Sequence, residues 1–188
     1  MTNVHTLTFE IGTEEIPAFD LHKATLALPQ ITEQALDGAR IPHGDIRVLT
    51  TPRRLIVMVD GVADTTEALD EVFRGPSVAI AFDADGNPTK AASGFARGKG
   101  VAVEDLERRV EGDVEYVFAT RSLPASDVAE LLPEVLGSII SAISWPKSCR
   151  WGRTHEYFSR PVRWLVALLD EQVIPVEFAG LVASNETR

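Results

Sequence analysis

The sequence predicts an α+β fold, with mixed and antiparallel sheets, flanking helices and two small subdomains. Apolar and polar residues alternate with period two in VHTLTFEIG (4–12), which indicates a strand. Apolar residues then recur at helical spacing over 21–36, and DIRVLTTPRRLIVMVDGV (45–62) contains a mostly buried strand. A strand, a helix and a strand in this order favour a small α+β layer.

Proline and glycine mark the limits of the helix in the first predicted subdomain, which covers residues 1–65. Pro17 suits the first turn of this helix, and Gly38 suits its end. Pro29 is expected to kink or divide the helix, because proline removes a backbone donor and crowds the preceding turn.

The second predicted subdomain covers residues 66–188 and starts with a strand from Phe73 to Phe82. The sequence DADGNP (83–88) that follows is typical of a turn. Two short helices separated by a glycine break are expected over 89–109, and DVEYVFATR (113–121) is expected to form a strand. This part of the chain therefore also predicts an α+β arrangement.

A longer helix is predicted after Ser126, which suits an N-cap, because its apolar face continues from Val128 to Ile143. Pro133 would kink this helix or start its second half. Two strands, VRWLVALL (162–169) and QVIPVEFAGLV (172–182), are predicted next, joined at Asp170–Glu171.

The overall composition is that of a globular protein, with 45% hydrophobic and 24% charged residues among 188. The one cysteine, Cys149, allows no internal disulfide and favours a reducing compartment, and it is interpreted as a buried small residue. No apolar segment is long enough to span a bilayer, and no signal peptide is visible. We therefore expect a cytoplasmic protein without a membrane partner.

Several motifs approach known ligand sites without matching them. GFARGKG (94–100) places three residues between its first two glycines, where a phosphate-binding loop needs four. DADGNPTKAASG (83–94) has Pro88 and Gly94 where a calcium loop needs glycine and glutamate. No His/Cys spacing suits zinc, and no nucleophile elbow occurs. The sequence therefore predicts no catalytic residue and no metal ligand.

The segment WPKSCRWGRTHEYFSRPVRW (145–164) concentrates positive charge and aromatic rings in one place. It has five cations and Glu156 as its one acid, a charge of +4 in a chain of net charge −10. Cations neutralise phosphates and flat rings stack on unpaired bases, so this pattern predicts an RNA-binding surface. Its predicted binding residues are Lys147, Arg150, Trp151, Arg153, Arg160 and Arg163.

A structural interpretation of the same segment stays open. The rings would then belong to the core or to a protein interface, and the arginines would pair with nearby acids. This interpretation is favoured for Trp164, which leads into the apolar WLVALL (164–169).

A second pair of predicted RNA-binding residues, Arg53 and Arg54, lies in TTPRRL (50–55). Neighbouring residues of a strand point to opposite faces, so one arginine is free for phosphate while the other needs a carboxylate. Glu14 and Glu15, which are expected to open the first helix, are the candidate partners.

Seven motifs in register resemble one family. They are FEIGTEEIPA, TPRRL, FRGP, FDADGNPTKAASGFARGKGV, AELLPEVL, PKSCRWG and FSRPVRWLVALL. The chain resembles the N-terminal part of the β subunit of bacterial tetrameric glycyl-tRNA synthetases, from about Leu7 to Arg188. These subunits are several times longer, so the resemblance implies a fragment.

The resemblance implies an α2β2 enzyme that attaches glycine to tRNA(Gly) with ATP and Mg²⁺. Its α subunit would hold the catalytic site, and the remaining β domains would include the one that reads the anticodon. This part of β would have no cofactor of its own and would be inactive alone, supporting the enzyme through tRNA binding and tetramer architecture. A scaffold without RNA contact and an editing or small-molecule site are the alternatives.

Overall fold

A computed structural model describes residues 3–188, which form an α+β fold as predicted. They divide into two compact units. The first comprises the residues up to Glu67 together with Ser126–Arg188, and the second is Ala68–Ala125. The predicted division put residues 66–188 into one subdomain. The structure differs because a late strand, Val162–Leu169, pairs with the first strand, Val4–Thr13, and so returns the chain to the first unit.

The elements are numbered in chain order, and a short 3-10 helix lies at Val103–Asp105. The helices are α1 Ala18–Gly38, α2 Val78–Ala81, α3 Lys90–Lys99 and α4 Val128–Ala142. The strands are β1 Val4–Thr13, β2 Ile46–Thr51, β3 Arg54–Ala63, β4 Leu69–Ser77, β5 Glu107–Glu111, β6 Val114–Leu123, β7 Val162–Leu169, β8 Gln172–Val173, β9 Glu177–Phe178 and β10 Leu181–Val182. No helix within residues 3–188 is long and apolar enough to cross a membrane.

The first unit is built on an antiparallel sheet with the strand order β2-β3-β1-β7-β8. Alternate side chains of a strand point to opposite faces. On one face, Leu7, Phe9 and Ile11 of β1 are buried in the same apolar cluster as Leu28 of α1 and Leu136 of α4. On the other face, β1 presents Thr6, Thr8 and Glu10. The contacts of the Glu10 carboxylate with Arg54 and Trp164 lie on this second face.

Both helices of the first unit continue past an internal proline. Pro29 lies inside the 21-residue α1 and Pro133 inside the 15-residue α4, so neither divides its helix. Leu28 and Leu132, immediately before the two prolines, are fully buried, and this packing stabilises the helix across the missing donor. The N-cap of α4 is Asp127 in place of the predicted Ser126, and its Oδ1 accepts from the Ala129 N–H at 2.8 Å.

The second unit is an antiparallel sheet of order β4-β6-β5 with α2 and α3. The predicted strand from Phe73 to Phe82 was wrong beyond Ser77, where α2 begins. Pro76 has no N–H for the ladder, and the pairing of β4 with β6 is irregular between Arg74 and Ser77. The DADGNP turn is confirmed, since Asp83 Oδ1 accepts from the Asn87 N–H at 2.8 Å. This bond is the main reason that the pKa of Asp83 is lowered.

Glycine at position 12 lets β1 pass directly against a buried indole ring. A Cβ at Gly12 would overlap the ring of Trp164, which lies opposite it on β7 and is 6% exposed. Neither the strand nor the buried ring has room to move without disturbing the sheet. The close approach therefore requires glycine.

Gly12→Ala is expected to destabilise the chain by about 1–3 kcal/mol, the usual effect of overpacking a core. Gly137→Ala is the matched control, because a Cβ there meets nothing within 4 Å inside α4. It should be neutral or stabilise by about 0.5–1 kcal/mol, since alanine is the better helix former. Urea unfolding of both variants measures the difference, and equal stabilities would contradict this account of the Gly12–Trp164 contact.

Candidate nucleic-acid interface

The connection between α4 and β7 contains a closed hairpin, residues 147–160, called here the cationic loop. Cys149 and Phe158 form an antiparallel bridge, with the Cys149 N–H donating at 2.8 Å and the Phe158 N–H at 3.2 Å. Gly152 turns the chain with a φ of +61°, a conformation that favours glycine. The Thr154 hydroxyl donates to the Trp151 carbonyl at 3.0 Å. These bonds hold the loop in a defined shape.

The aromatic rings around this hairpin anchor it to the core. Phe158 is fully buried, and the Trp145 ring meets it edge to face at a centroid distance of 4.7 Å. Trp151 is half-buried and packs against the same apolar cluster. Tyr157, in contrast, is 62% exposed. The ring of Trp151, predicted to bind RNA, therefore has a structural contact.

The cationic side chains of the loop are exposed. Lys147, Arg150 and Arg153 are exposed, and none of the three forms an ion pair or hydrogen bond with another residue in the described range 3–188. Arg160 is exposed as well, and its Nη1 donates to the Ser159 carbonyl at 3.0 Å. The loop thus presents cations that no carboxylate of residues 3–188 neutralises.

The structure brings the two basic motifs of the sequence to the same end of the sheet. The Thr13 N–H donates to the Arg53 carbonyl at 2.9 Å, and the Glu14 N–H donates to the Pro161 carbonyl at 3.1 Å. Arg53 is exposed, with its Nε 3.4 Å from the Thr13 carbonyl. Arg163 Nε lies 3.3 Å from Glu14 Oε1 in an exposed pair, which is a weak interaction in water. Arg53 therefore lies beside Thr13 at the end of β1, and Arg163 lies at the start of β7, which pairs with that end.

Arg54 has a different role from its neighbour. Its Nε lies 3.3 Å from Oε1 of Glu10, a carboxylate that is 7% exposed. The Trp164 Nε1–H donates to the same oxygen at 2.7 Å, and the Arg54 guanidinium lies 5.6 Å from the Trp164 ring centroid. The structural interpretation of Trp164 is confirmed. The prediction that Glu14 or Glu15 pairs with Arg54 was wrong, because the partner is Glu10. No local sequence signal indicated Glu10, because the pairing of β1 with β3 joins distant parts of the chain.

The opposite end of the sheet is acidic. A cavity of about 530 Å³ is lined there by His5 and by four carboxylates, those of Asp64, Asp127, Asp170 and Glu171. No sequence motif predicted this cavity. No group of three His, Cys, Asp or Glu residues that could hold a metal occurs within the described part of the chain. The cavity repels polyanions, so the two ends of the sheet differ in electrostatic character.

Asp170 closes the β7–β8 hairpin and connects it to β1. Its Oδ1 accepts from the Thr6 N–H at 2.8 Å, and its Oδ2 lies 2.7 Å from His5 Nδ1. The bond from the Thr6 N–H and then the bond from His5 lower the pKa of the Asp170 carboxyl. Hydrogen bonds to a carboxylate favour its charged form.

Asp170→Asn is expected to lower stability near neutral pH. Asparagine adopts a positive φ readily, so the φ of +52° at this position is retained in the variant. The carboxylate stabilises the fold above its unfolded pKa of about 3.9, and this contribution is lost as the pH falls through the lower folded pKa. The stability difference between wild type and variant should therefore close below about pH 4. Urea unfolding from pH 7 downward measures it. Glu171→Gln, at an exposed neighbour, is the control and should leave stability at pH 7 close to that of the wild type.

Comparison with known proteins identifies the family. A family model described as "Glycyl-tRNA synthetase beta subunit" matches residues 7–188. The glycine–tRNA ligase β subunit of Moorella thermoacetica is 46% identical over 96% of this chain and 26% of its own length. That of Syntrophotalea carbinolica is 47% identical over 95% of this chain and 26% of its own length.

A plant protein shows the same similarity. The Arabidopsis thaliana protein named glycine–tRNA ligase, chloroplastic/mitochondrial 2, is 44% identical over 94% of this chain and 16% of its own length. The chain spans about a quarter of the length of the two bacterial relatives. With a family match over nearly all of its residues, the chain belongs to the glycyl-tRNA synthetase β-subunit family.

Proposed function

We propose that this chain is a tRNA-binding region of a glycine–tRNA ligase, and that the cationic loop supplies its main contacts. The observation that carries the proposal is the exposure of Lys147, Arg150 and Arg153 without a carboxylate partner among residues 3–188. Free cations bind phosphate without first breaking an ion pair. Arg53, Arg160 and Arg163 are proposed as further contacts at the same end of the sheet.

The charge of the remaining chain supports one orientation of a bound polyanion. The net charge is −10, so RNA is repelled on average and attracted where cations outnumber acids. The acidic cavity beside Asp170 lies at the end of β7 that is remote from the loop. Binding through the loop therefore keeps phosphates away from the carboxylates of this cavity.

The chemistry of the enzyme is proposed to take place outside this chain. Within residues 3–188, no group of three His, Cys, Asp or Glu residues could hold a metal ion. We assign adenylate formation and glycine transfer, with ATP and Mg²⁺, to the α subunit of an α2β2 enzyme in the cytoplasm. The remaining β domains would supply the other tRNA contacts, and this chain alone would be inactive.

A scaffold without RNA contact is the second candidate. The packed rings of Trp145 and Trp164 and the ion pair of Arg54 with Glu10 favour it, because these parts of the basic motifs already serve the fold. On this alternative, removing the loop cations would change assembly or melting temperature and leave tRNA affinity unchanged. The two candidates are therefore separated by one set of variants.

Replacing Lys147, Arg150 and Arg153 together by alanine should weaken tRNA binding by about tenfold or more at moderate salt. Each lost phosphate contact lowers the slope of log K against log salt by about 0.7–0.9, so the slope should fall by about 2–3. A salt-dependent titration of the 188-residue chain with tRNA(Gly) measures both quantities. Glycylation by the assembled synthetase carrying the same changes should fall in parallel.

The matched control is Arg47→Ala, Arg109→Ala and Arg121→Ala, which removes the same number of charges. These exposed arginines are paired with Asp60, Glu107 and Glu71. The control should reduce tRNA affinity much less than the loop variant. Equal losses would show that net charge alone is responsible. Unchanged tRNA binding by a folded loop variant would favour the scaffold.

A further inference from the structure

We infer that the cationic loop binds the sugar-phosphate backbone of a base-paired RNA stem and does not stack on unpaired bases. The inference rests on the proposed tRNA binding and names the kind of RNA that the loop contacts. It follows from the different positions of the rings and the cations in the same segment. The pattern of residues alone had favoured both modes of binding.

Four aromatic rings of segment 145–164 pack against other residues of the protein. Phe158 is fully buried, Trp145 packs edge to face on it, and Trp151 packs against the core. The Trp164 ring is covered, and its Nε1–H is bound to Glu10. Proteins that bind single strands rely on stacking of about 1–3 kcal/mol per base on exposed rings. Of the five Trp, Tyr and Phe rings in 145–164, two are buried and two more are partly buried against the core.

Tyr157 is the exception among these rings. It is 62% exposed, and it makes no hydrogen bond or ring contact with any other residue between positions 3 and 188. A single ring can stack on one base, whereas a single-strand surface needs several rings in sequence. Tyr157 therefore provides a direct test of whether stacking contributes.

The cations, in contrast, are exposed and available for phosphates. The Cys149–Phe158 bridge and the turn at Gly152 hold the backbone that presents Arg150 and Arg153, and Lys147 lies two residues before the bridge. The phosphates of an A-form backbone are already ordered before the cations meet them. A flexible single strand would have to be ordered first, at a cost of conformational entropy. Duplex RNA is recognised mainly through shape, 2′-hydroxyls and phosphates.

The test compares a fully base-paired RNA hairpin with an unstructured RNA strand that has the same number of phosphates. The 188-residue chain should bind the hairpin about tenfold or more tightly than the strand, because the strand finds no stacking surface. Tyr157→Ala should change hairpin affinity by less than about twofold, like its control Tyr157→Phe. The Lys147, Arg150 and Arg153 triple alanine variant should lower it by about tenfold or more.

Two results would overturn the inference while leaving tRNA binding intact. One is strand binding as tight as hairpin binding, and the other is a loss of affinity in Tyr157→Ala as large as in the triple variant. If neither model RNA nor tRNA binds the wild-type chain, the proposed function itself fails. Far-UV circular dichroism of each variant confirms that the fold is retained, so a loss of affinity reports on contacts.

Discussion

The carboxylate of Glu10 joins three strands on the face of the sheet that the helices do not cover. It lies on β1, pairs with Arg54 of β3 and accepts hydrogen bonds from Trp164 of β7 and from Thr187 at 2.7 Å. A charge this buried destabilises a protein unless it is paired and hydrogen-bonded, and removing one partner of such a group typically costs about 3–5 kcal/mol. These bonds therefore add side-chain contacts to the backbone pairing of β7 with β1.

The location of the cationic loop follows from this strand arrangement. Because β7 runs antiparallel to β1, Val162 at its start is paired with Thr13 at the end of β1. The same end of the sheet holds the turn of Pro52 and Arg53, since the Ile16 N–H donates to the Pro52 carbonyl at 2.7 Å. Two basic motifs about a hundred residues apart in the sequence therefore become neighbours through backbone pairing.

The features that sequence analysis predicted are those with local signals. Alternation identified β1, helical spacing identified α1 and α4, and the turn at Asp170–Glu171 was confirmed. The pairing of Glu10 with Arg54 could not be predicted in this way, because it requires the register between two strands. The same holds for the rings of the basic segment. Composition shows that rings are present, whereas only the packing shows that Trp145 meets Phe158 edge to face while the cations stay exposed.

Lys147, Arg150 and Arg153 lie within seven residues of one another, and none has a carboxylate partner within residues 3–188. Exposed ion pairs contribute little to stability in water, so the fold does not depend on cations at these positions. A polyanion does favour them, because each phosphate contact releases counterions from the nucleic acid. The packed rings keep the loop in place while its charges remain available.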